Sequence, residues 1–204
     1  ENVSRRAKYI IVSLTKGSFL IHLGMSGSLR LITNSDSLKK HDHIQMHLSN
    51  GHVLTFHDPR RFGCWLWSKY DHALLEKLGP EPLSSNFSGQ YLWNQARKRT
   101  APVKSFIMDS RIVVGVGNIY ANEALFESGI KPQRRAGKIS FKRYEVLVEN
   151  IKVILRSAIK QGGTTLRDFT NSRGEPGYFE QSLSVYGRAG KACVKCNQLL
   201  KEIR

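Results

Sequence analysis

Along the first eighty residues the apolar positions come in short runs, many alternating with polar ones and broken by turn residues. This period of two predicts strands over 8–14, 18–23, 28–33, 43–48, 52–57 and 64–67. Lys16-Gly17 and Asn50-Gly51 read as hairpin turns, and the second is the strongest short turn signal in the chain. Several short strands with no long helix between them predict a sandwich or barrel. The prolines and glycine of Leu78-Gly79-Pro80-Glu81-Pro82-Leu83 then mark a boundary. Beyond it the period becomes helical. Phe141, Tyr144, Leu147, Val148, Ile151, Ile154, Leu155, Ala158 and Ile159 form one predicted stripe, stopped by Gly162-Gly163. A shorter helix is predicted over 118–128, closed by Gly129 and Pro132. Residues 162–177 are polar and Gly-rich and are expected to form a mobile loop.

Composition narrows the function. Hydrophobic residues make up 40% of the chain, enough for a core, which excludes a disordered polycation. The 32 Lys+Arg against 16 Asp+Glu leave a net charge of +16, the mark of a polyanionic partner. Residues 1–80 contribute +5 and residues 81–204 contribute +11, so a groove between two basic domains, suited to a duplex, is expected. No run of 18 apolar residues predicts a membrane span, and no basic amphipathic helix with an aromatic face predicts a membrane surface. No secretory leader opens the chain, and three cysteines make no disulfide framework, so a reducing compartment is expected.

Six segments carry candidate chemistry. Arg5-Arg6-Ala7-Lys8 is either a solvated strand start or a phosphate contact with Lys8 held on a rigid strand. Met25, in a loop between Gly24 and Gly27, either folds into the core or stands out as an apolar wedge for a base stack. In the 57–63 loop, Asp58-Pro59 begins a turn and Gly63 closes it. Between them, Arg60, Arg61 and Phe62 are either surface cations with a tucked ring or a set for reading and wedging bases. His41 and His43 point to opposite faces of an extended segment, which argues against shared metal ligation and for a phosphate-contacting His41 or a hydrogen-bonded His43. Val114 to Tyr120 is a Gly-rich turn before a helix N-terminus, a weak anion-site signal. Cys193 and Cys196 have the spacing of one zinc knuckle, or are two unrelated thiols.

Taken in this order, these segments resemble the bacterial formamidopyrimidine-DNA glycosylases, bifunctional base-excision enzymes for oxidised purines. The residues that carry the likeness are 5–9, 24–27, 40–43, 58–63, 78–83, 114–120, 162–166 and 193–196, spread over nearly the whole chain. The resemblance implies an α+β multidomain fold. An N-terminal β-sandwich domain (1–80) would lack its N-terminal helix. A helical helix–two-turns–helix domain (81–187) would carry a mobile lesion loop over 164–178. Residues 188–204 would be the first half of a zinc β-hairpin, truncated here. It implies one structural zinc held by four cysteines, of which Cys193 and Cys196 are present.

The implied activity is excision of 8-oxoguanine and formamidopyrimidines from duplex DNA. An N-terminal proline amine attacks the deoxyribose C1′, a Schiff base forms, and β,δ-elimination nicks the strand. That proline and its neighbouring glutamate have no counterpart in the 204 residues, so the chain as written is expected to be inactive and to be part of a longer enzyme. The resemblance assigns Lys8 to phosphate contact and proton transfer. Met25, Arg60 and Phe62 fill the void left by an extruded nucleotide, with Arg60 pairing the orphaned cytosine. His41, Arg61, Lys98, Arg99, Asn118 and Tyr120 contact DNA, and Lys104, Thr164, Thr165 and Tyr178 lie about the lesion. The implied partner is duplex DNA with an oxidised purine opposite C, bound by a cytoplasmic, nucleoid-associated monomer with no membrane contact. Two alternatives stay open: an endonuclease VIII-like glycosylase for oxidised pyrimidines, and a non-catalytic DNA-binding paralogue.

Overall fold

The computed structural model describes residues 2–33, 38–163 and 183–203. The chain divides into two compact units, the first built on residues 1–76 with the stretch from Gln161, the second on Lys77–Lys160 with the C-terminal segment from Gln181. The first is all β apart from one turn of helix, and the second is helical.

In the first unit, strands β1 (Asn2–Arg6), β2 (Tyr9–Leu14), β3 (Gly17–His22) and β7 (Cys64–Ser68) form an antiparallel sheet in the order β1-β2-β3-β7. Strands β4 (Ser28–Thr33), β5 (Asp42–His47) and β6 (His52–His57) form a second, in the order β4-β6-β5. Leu20 and Ile21 of one sheet and Val53 and Phe56 of the other are buried, and the Phe56 and Trp65 rings meet edge-on across the sandwich at 6.1 Å. The Asn50-Gly51 signal makes a three-residue turn, in which the Leu48 N–H reaches the His52 carbonyl and Gly51 takes φ +82°. Strand β1 was not predicted, and it corrects the expected position of Lys8. Arg6 pairs with Tyr9, so Lys8 sits in the two-residue hairpin turn after Ala7 (φ +55°), not on a strand.

Register gathers the loops. Tyr9, His22 and Cys64 are paired in line across one sheet, and Ser28, His57 and Asp42 across the other. The 23–27 and 58–63 segments each leave one of these rows and enter the other. The turn at Lys8, both crossings and the turn before β5 therefore share one end of the sandwich.

After α1 (Ala73–Glu76), the helical unit holds α2 (Gly89–Ala96), α3 (Val103–Met108), α4 (Asn118–Glu127) and α5 (Phe141–Lys160). Ser88 caps α2 by accepting the Tyr91 N–H. Gly89 lies so close to the Glu145 backbone that a Cβ would stand 2.8 Å from its Cα, so only glycine lets α2 and α5 approach this closely. Helix α4 ends at Gly129 with φ +61°, as predicted. On α5 the buried face is Tyr144, Leu147, Val148, Ile151, Leu155 and Ala158. Phe141 and Ile159, placed on that stripe by spacing, are exposed instead, because both lie in the terminal turns of the helix. The Tyr144 hydroxyl donates to the Ala136 carbonyl at 2.9 Å, and burial pushes its pKa up.

The segment from residue 183 is fastened to α4 by one carboxylate. Glu123 is buried and accepts the N–H groups of Ser184, Val185 and Tyr186 at 2.8–3.0 Å. Lys195 adds an ion pair to Glu127 at 2.8 Å. Glu123→Ala strands three backbone donors and is expected to cost about 3 kcal/mol. A denaturant midpoint equal to that of the unaltered chain would refute this anchoring.

Candidate nucleic-acid interface

One buried carboxylate organises the loop end of the sandwich. Asp58 is 1% exposed; its Oδ1 accepts the Ser26 hydroxyl at 3.2 Å and its Oδ2 accepts the Gly63 N–H at 2.8 Å. Its backbone N–H reaches the His41 carbonyl at 3.0 Å, and its own carbonyl lies 3.0 Å from His43 Nε2. Asp58 thus ties the 23–27 loop, the 39–43 turn and its own loop together. Gly24 (φ +64°) completes the joint, because a Cβ there would come within 2.6 Å of the Phe62 and Gly63 backbone. With the backbones locked, the side chains project. Met25 is 64% exposed and Phe62 60%, so neither tucks into the core. Arg60 and Arg61 are exposed, and the Arg60 guanidinium rests over the Phe62 ring at 5.5 Å. Two large apolar side chains and two guanidiniums held in solvent on rigid loops suit insertion into a base stack better than a monomer surface.

Lys8 is exposed along its side chain, yet desolvation of its ammonium lowers its pKa, which eases proton release. Desolvation and the Lys8 charge both lower the His22 pKa, and its Nδ1 accepts the Gly24 N–H at 3.0 Å. A neutral His22 therefore helps set the Met25 loop.

His41 stands in the turn before β5, not on the strand, so the alternation expected for His41 and His43 does not hold; their rings lie 6.2 Å apart. The turn is held by Asp42, whose carboxylate takes two bonds from Arg30 at 2.7 and 2.8 Å, His57 Nδ1 at 2.8 Å and the Lys39 N–H at 2.8 Å. Burial pushes the Asp42 carboxyl up, but these donors outweigh it and hold its pKa below the usual range. Its contribution to stability is therefore complete above the ordinary carboxylate pKa and is lost as pH falls through the lowered one.

In the helical unit, Lys98 (φ +65°) and Arg99 are exposed after α2, and Lys104 lies half-buried in the first turn of α3. Their segment is laced to residues 132–137. The Val103 N–H meets the Arg134 carbonyl, Lys104 meets Pro132, Ala136 meets Ala101 and Gly137 meets Arg99, at 2.8–3.2 Å. This brings the exposed Arg134, Arg135 and Lys138, which motif reading did not single out, beside Lys98 and Arg99, and neither segment carries a carboxylate. Asn118 opens α4 behind Gly117, which offers no side-chain cap, so the first N–H groups are open to an anion. Asn118 is exposed and accepts from Asn122 at 3.2 Å, while Tyr120 packs against the core from a half-buried position.

Cys193 and Cys196 fit half of a zinc site. The Lys195 N–H points at Cys193 Sγ at 3.4 Å, and this bond, with those from Cys196, lowers the Cys193 pKa. The segment folds back on itself, Cys193 N–H to Gln198 carbonyl and Asn197 N–H to Cys193 carbonyl, with Asn197 at φ +58°. Backbone donors aimed at a low-pKa thiol in a tight knuckle are what a tetrahedral thiolate site requires. Among the described residues no group of three or more His, Cys, Asp or Glu is placed to hold a metal ion. Thr164, Thr165, Tyr178 and the expected mobile loop lie outside the described residues. Among the described residues no helix is long and apolar enough to cross a membrane.

The comparisons with known proteins agree with one another. Residues 1–65 match the formamidopyrimidine-DNA glycosylase N-terminal domain and residues 78–170 match the formamidopyrimidine-DNA glycosylase H2TH domain. A formamidopyrimidine-DNA glycosylase of Marinobacter nauticus is 58% identical over 204 residues, covering 99% of this chain and 76% of that protein. Lactococcus lactis Fpg in complex with DNA containing an abasic site superposes with a TM-score of 0.91 at 32% identity, over 100% of this chain and 76% of the other. A Lactococcus lactis Fpg variant with DNA containing Fapy-dG gives 0.92 at 31% identity, with the same coverage.

Proposed function

The chain belongs to the formamidopyrimidine-DNA glycosylase family, and from that premise we propose that it is the damage-reading part of a base-excision enzyme that removes oxidised purines opposite cytosine from duplex DNA. The observation that carries the reading is the loop end of the sandwich, where Asp58 and Gly24 lock two loops so that Met25, Arg60 and Phe62 stand out together. Extruding a nucleotide costs a few kcal/mol of stacking and pairing. Met25 fills the void, Phe62 wedges the step, and the Arg60 fork satisfies the widowed cytosine. Lys8, with its lowered pKa, contacts the lesion-flanking phosphate and moves a proton during strand cleavage. His41, Arg61, Lys98, Arg99, Asn118 and Tyr120 hold the duplex, while Lys104, Thr164, Thr165 and Tyr178 serve the everted base.

Schiff-base formation and β,δ-elimination follow from the family chemistry. Cys193 and Cys196 would supply two of four thiolates to a structural zinc, which would brace the hairpin that follows residue 188. The protein acts as a monomer in the bacterial cytoplasm. The complete gene product tests this directly. It is expected to excise 8-oxoguanine opposite C and nick the strand in a single-turnover assay, and to act more slowly on thymine glycol opposite A. Faster cleavage of thymine glycol would favour a pyrimidine-directed glycosylase; binding without any cleavage would make it a non-catalytic DNA binder.

A further inference from the structure

His57 has no role in the proposed function, yet a buried carboxylate orients its ring. Its Nδ1 bonds the buried Asp42 carboxylate at 2.8 Å, which fixes the ring and puts a proton on Nδ1. Nε2 has no hydrogen-bond partner among the described residues and is not among the buried unsatisfied atoms, so it is not sealed from solvent; the side chain is 23% exposed. The ring lies 5.9 Å from His41, at 74° to it. His41 is itself placed by its carbonyl bond from Asp58 and by the Asp42-anchored turn. Two imidazoles at this spacing can each donate to a different oxygen of one phosphate through bonds of about 2.8 Å.

We infer that His57, oriented by Asp42, forms with His41 a two-imidazole clamp for a single DNA phosphate that closes as the rings take up protons. The inference rests on the proposal that the chain binds duplex DNA. Each imidazole reaches full donor strength only when protonated, and the anion in turn favours the protonated form. Among the described residues, the charged and titratable groups bonded to the pair or to Asp42, or adjacent to them in the chain, are Arg30 of β4, Asp42 and His43 of β5, Lys39 and Lys40 of the turn, and Asp58 after β6. Arg30 and Asp42 neutralise each other, and Asp58 is engaged with Ser26 and Gly63, so among the described residues neither of these carboxylates is free to compete with the phosphate. His43 is committed through Nε2 to the Asp58 carbonyl. That leaves His41 and His57 as the rings free to answer a phosphate.

The test measures affinity for a lesion-free duplex at constant ionic strength from about pH 8 down to pH 5.5, a window that brackets the ordinary imidazole pKa. The slope of log K against pH counts the protons taken up on binding. The unaltered protein is expected to bind more tightly as pH falls, and His57→Gln and His41→Gln should each remove about one proton from the slope at its steepest. A His57→Gln slope equal to that of the unaltered protein overturns the clamp. Thermal unfolding checks that each variant is folded. If His57→Gln is not folded, the imidazole titration of His57 in the unaltered protein decides. Its pKa should rise on adding duplex, and no change would overturn the inference. Failure of the unaltered protein to bind duplex at any pH would instead refute the DNA-binding proposal.

Discussion

Asp58→Ala is expected to destabilise the β unit by about 3 kcal/mol and to free both wedge loops at once. The side chain is almost wholly buried, and its two oxygens satisfy the Ser26 hydroxyl and the Gly63 N–H. Removing it leaves both donors in a desolvated pocket. Asp58→Asn keeps one acceptor oxygen and is expected to lose about half as much, because the new amide NH2 meets one of the former donors. Denaturant midpoints on the two variants give the stability term. The functional readout is separate: the Asp58→Asn protein, still folded, should bind undamaged duplex nearly as well but lose its preference for the lesion, since Met25 and Phe62 are no longer held together. Retained lesion preference in Asp58→Asn would show that Gly24 and Gly63 position the loops without the carboxylate.

The elements of this fold were legible where local pattern decides them; the projecting residues Met25, Arg60 and Phe62 were legible too, but not the carboxylates that hold their loops. Alternation located β2 to β7, and the helical period with its Gly stop located α4 and α5. Strand β1 escaped because Asn2–Arg6 holds one apolar residue and lies at a sheet edge with exposed side chains. Helices α2 and α3, at 8 and 6 residues, are too short to show a period, and tertiary packing, of α2 on α5 and of α3 on α4, holds them. The Asp58-Pro59 pair signalled a turn, but a turn reading treats aspartate as local. Its bonds to Ser26 and to the His41 and His43 segment depend on register between distant strands, which no window of sequence reports. The same is true of Asp42, which sits between two histidines whose spacing already argues against a shared metal; it is the buried partner of Arg30 and His57. Both carboxylates, though set among basic residues, are spent on holding loops: Asp42 on Arg30 and His57, Asp58 on Ser26 and Gly63.

Arg60→Ala is expected to lower affinity for lesion:C duplex by about 10- to 100-fold and for undamaged duplex by less than about 3-fold. The asymmetry follows from what the guanidinium faces in each case. On an intact duplex the exposed Arg60 adds one phosphate-range charge, screened within a Debye length and shared with Arg61 and the other cations of the loop end. In the proposed complex with an extruded lesion it would meet a cytosine stripped of its partner, whose acceptors the inserted Met25 and Phe62 would shield from water. Two charge-assisted bonds made there are worth about 1.5–3 kcal/mol each, offset by the desolvation of the arginine. Phe62 lowers the entropic part of that cost, because the cation already rests over its ring at 5.5 Å before DNA arrives. Arg60→Lys separates geometry from charge: it keeps the cation and loses the fork, so it should behave like alanine on lesion:C and like the unaltered protein on intact DNA. Fluorescence-anisotropy titrations of the variants on lesion:C, lesion:A and undamaged duplexes measure all the terms. Equal losses on damaged and undamaged duplex for Arg60→Ala would reduce Arg60 to a phosphate contact, and a discrimination between opposite C and opposite A that survives in Arg60→Lys would assign cytosine reading to another residue.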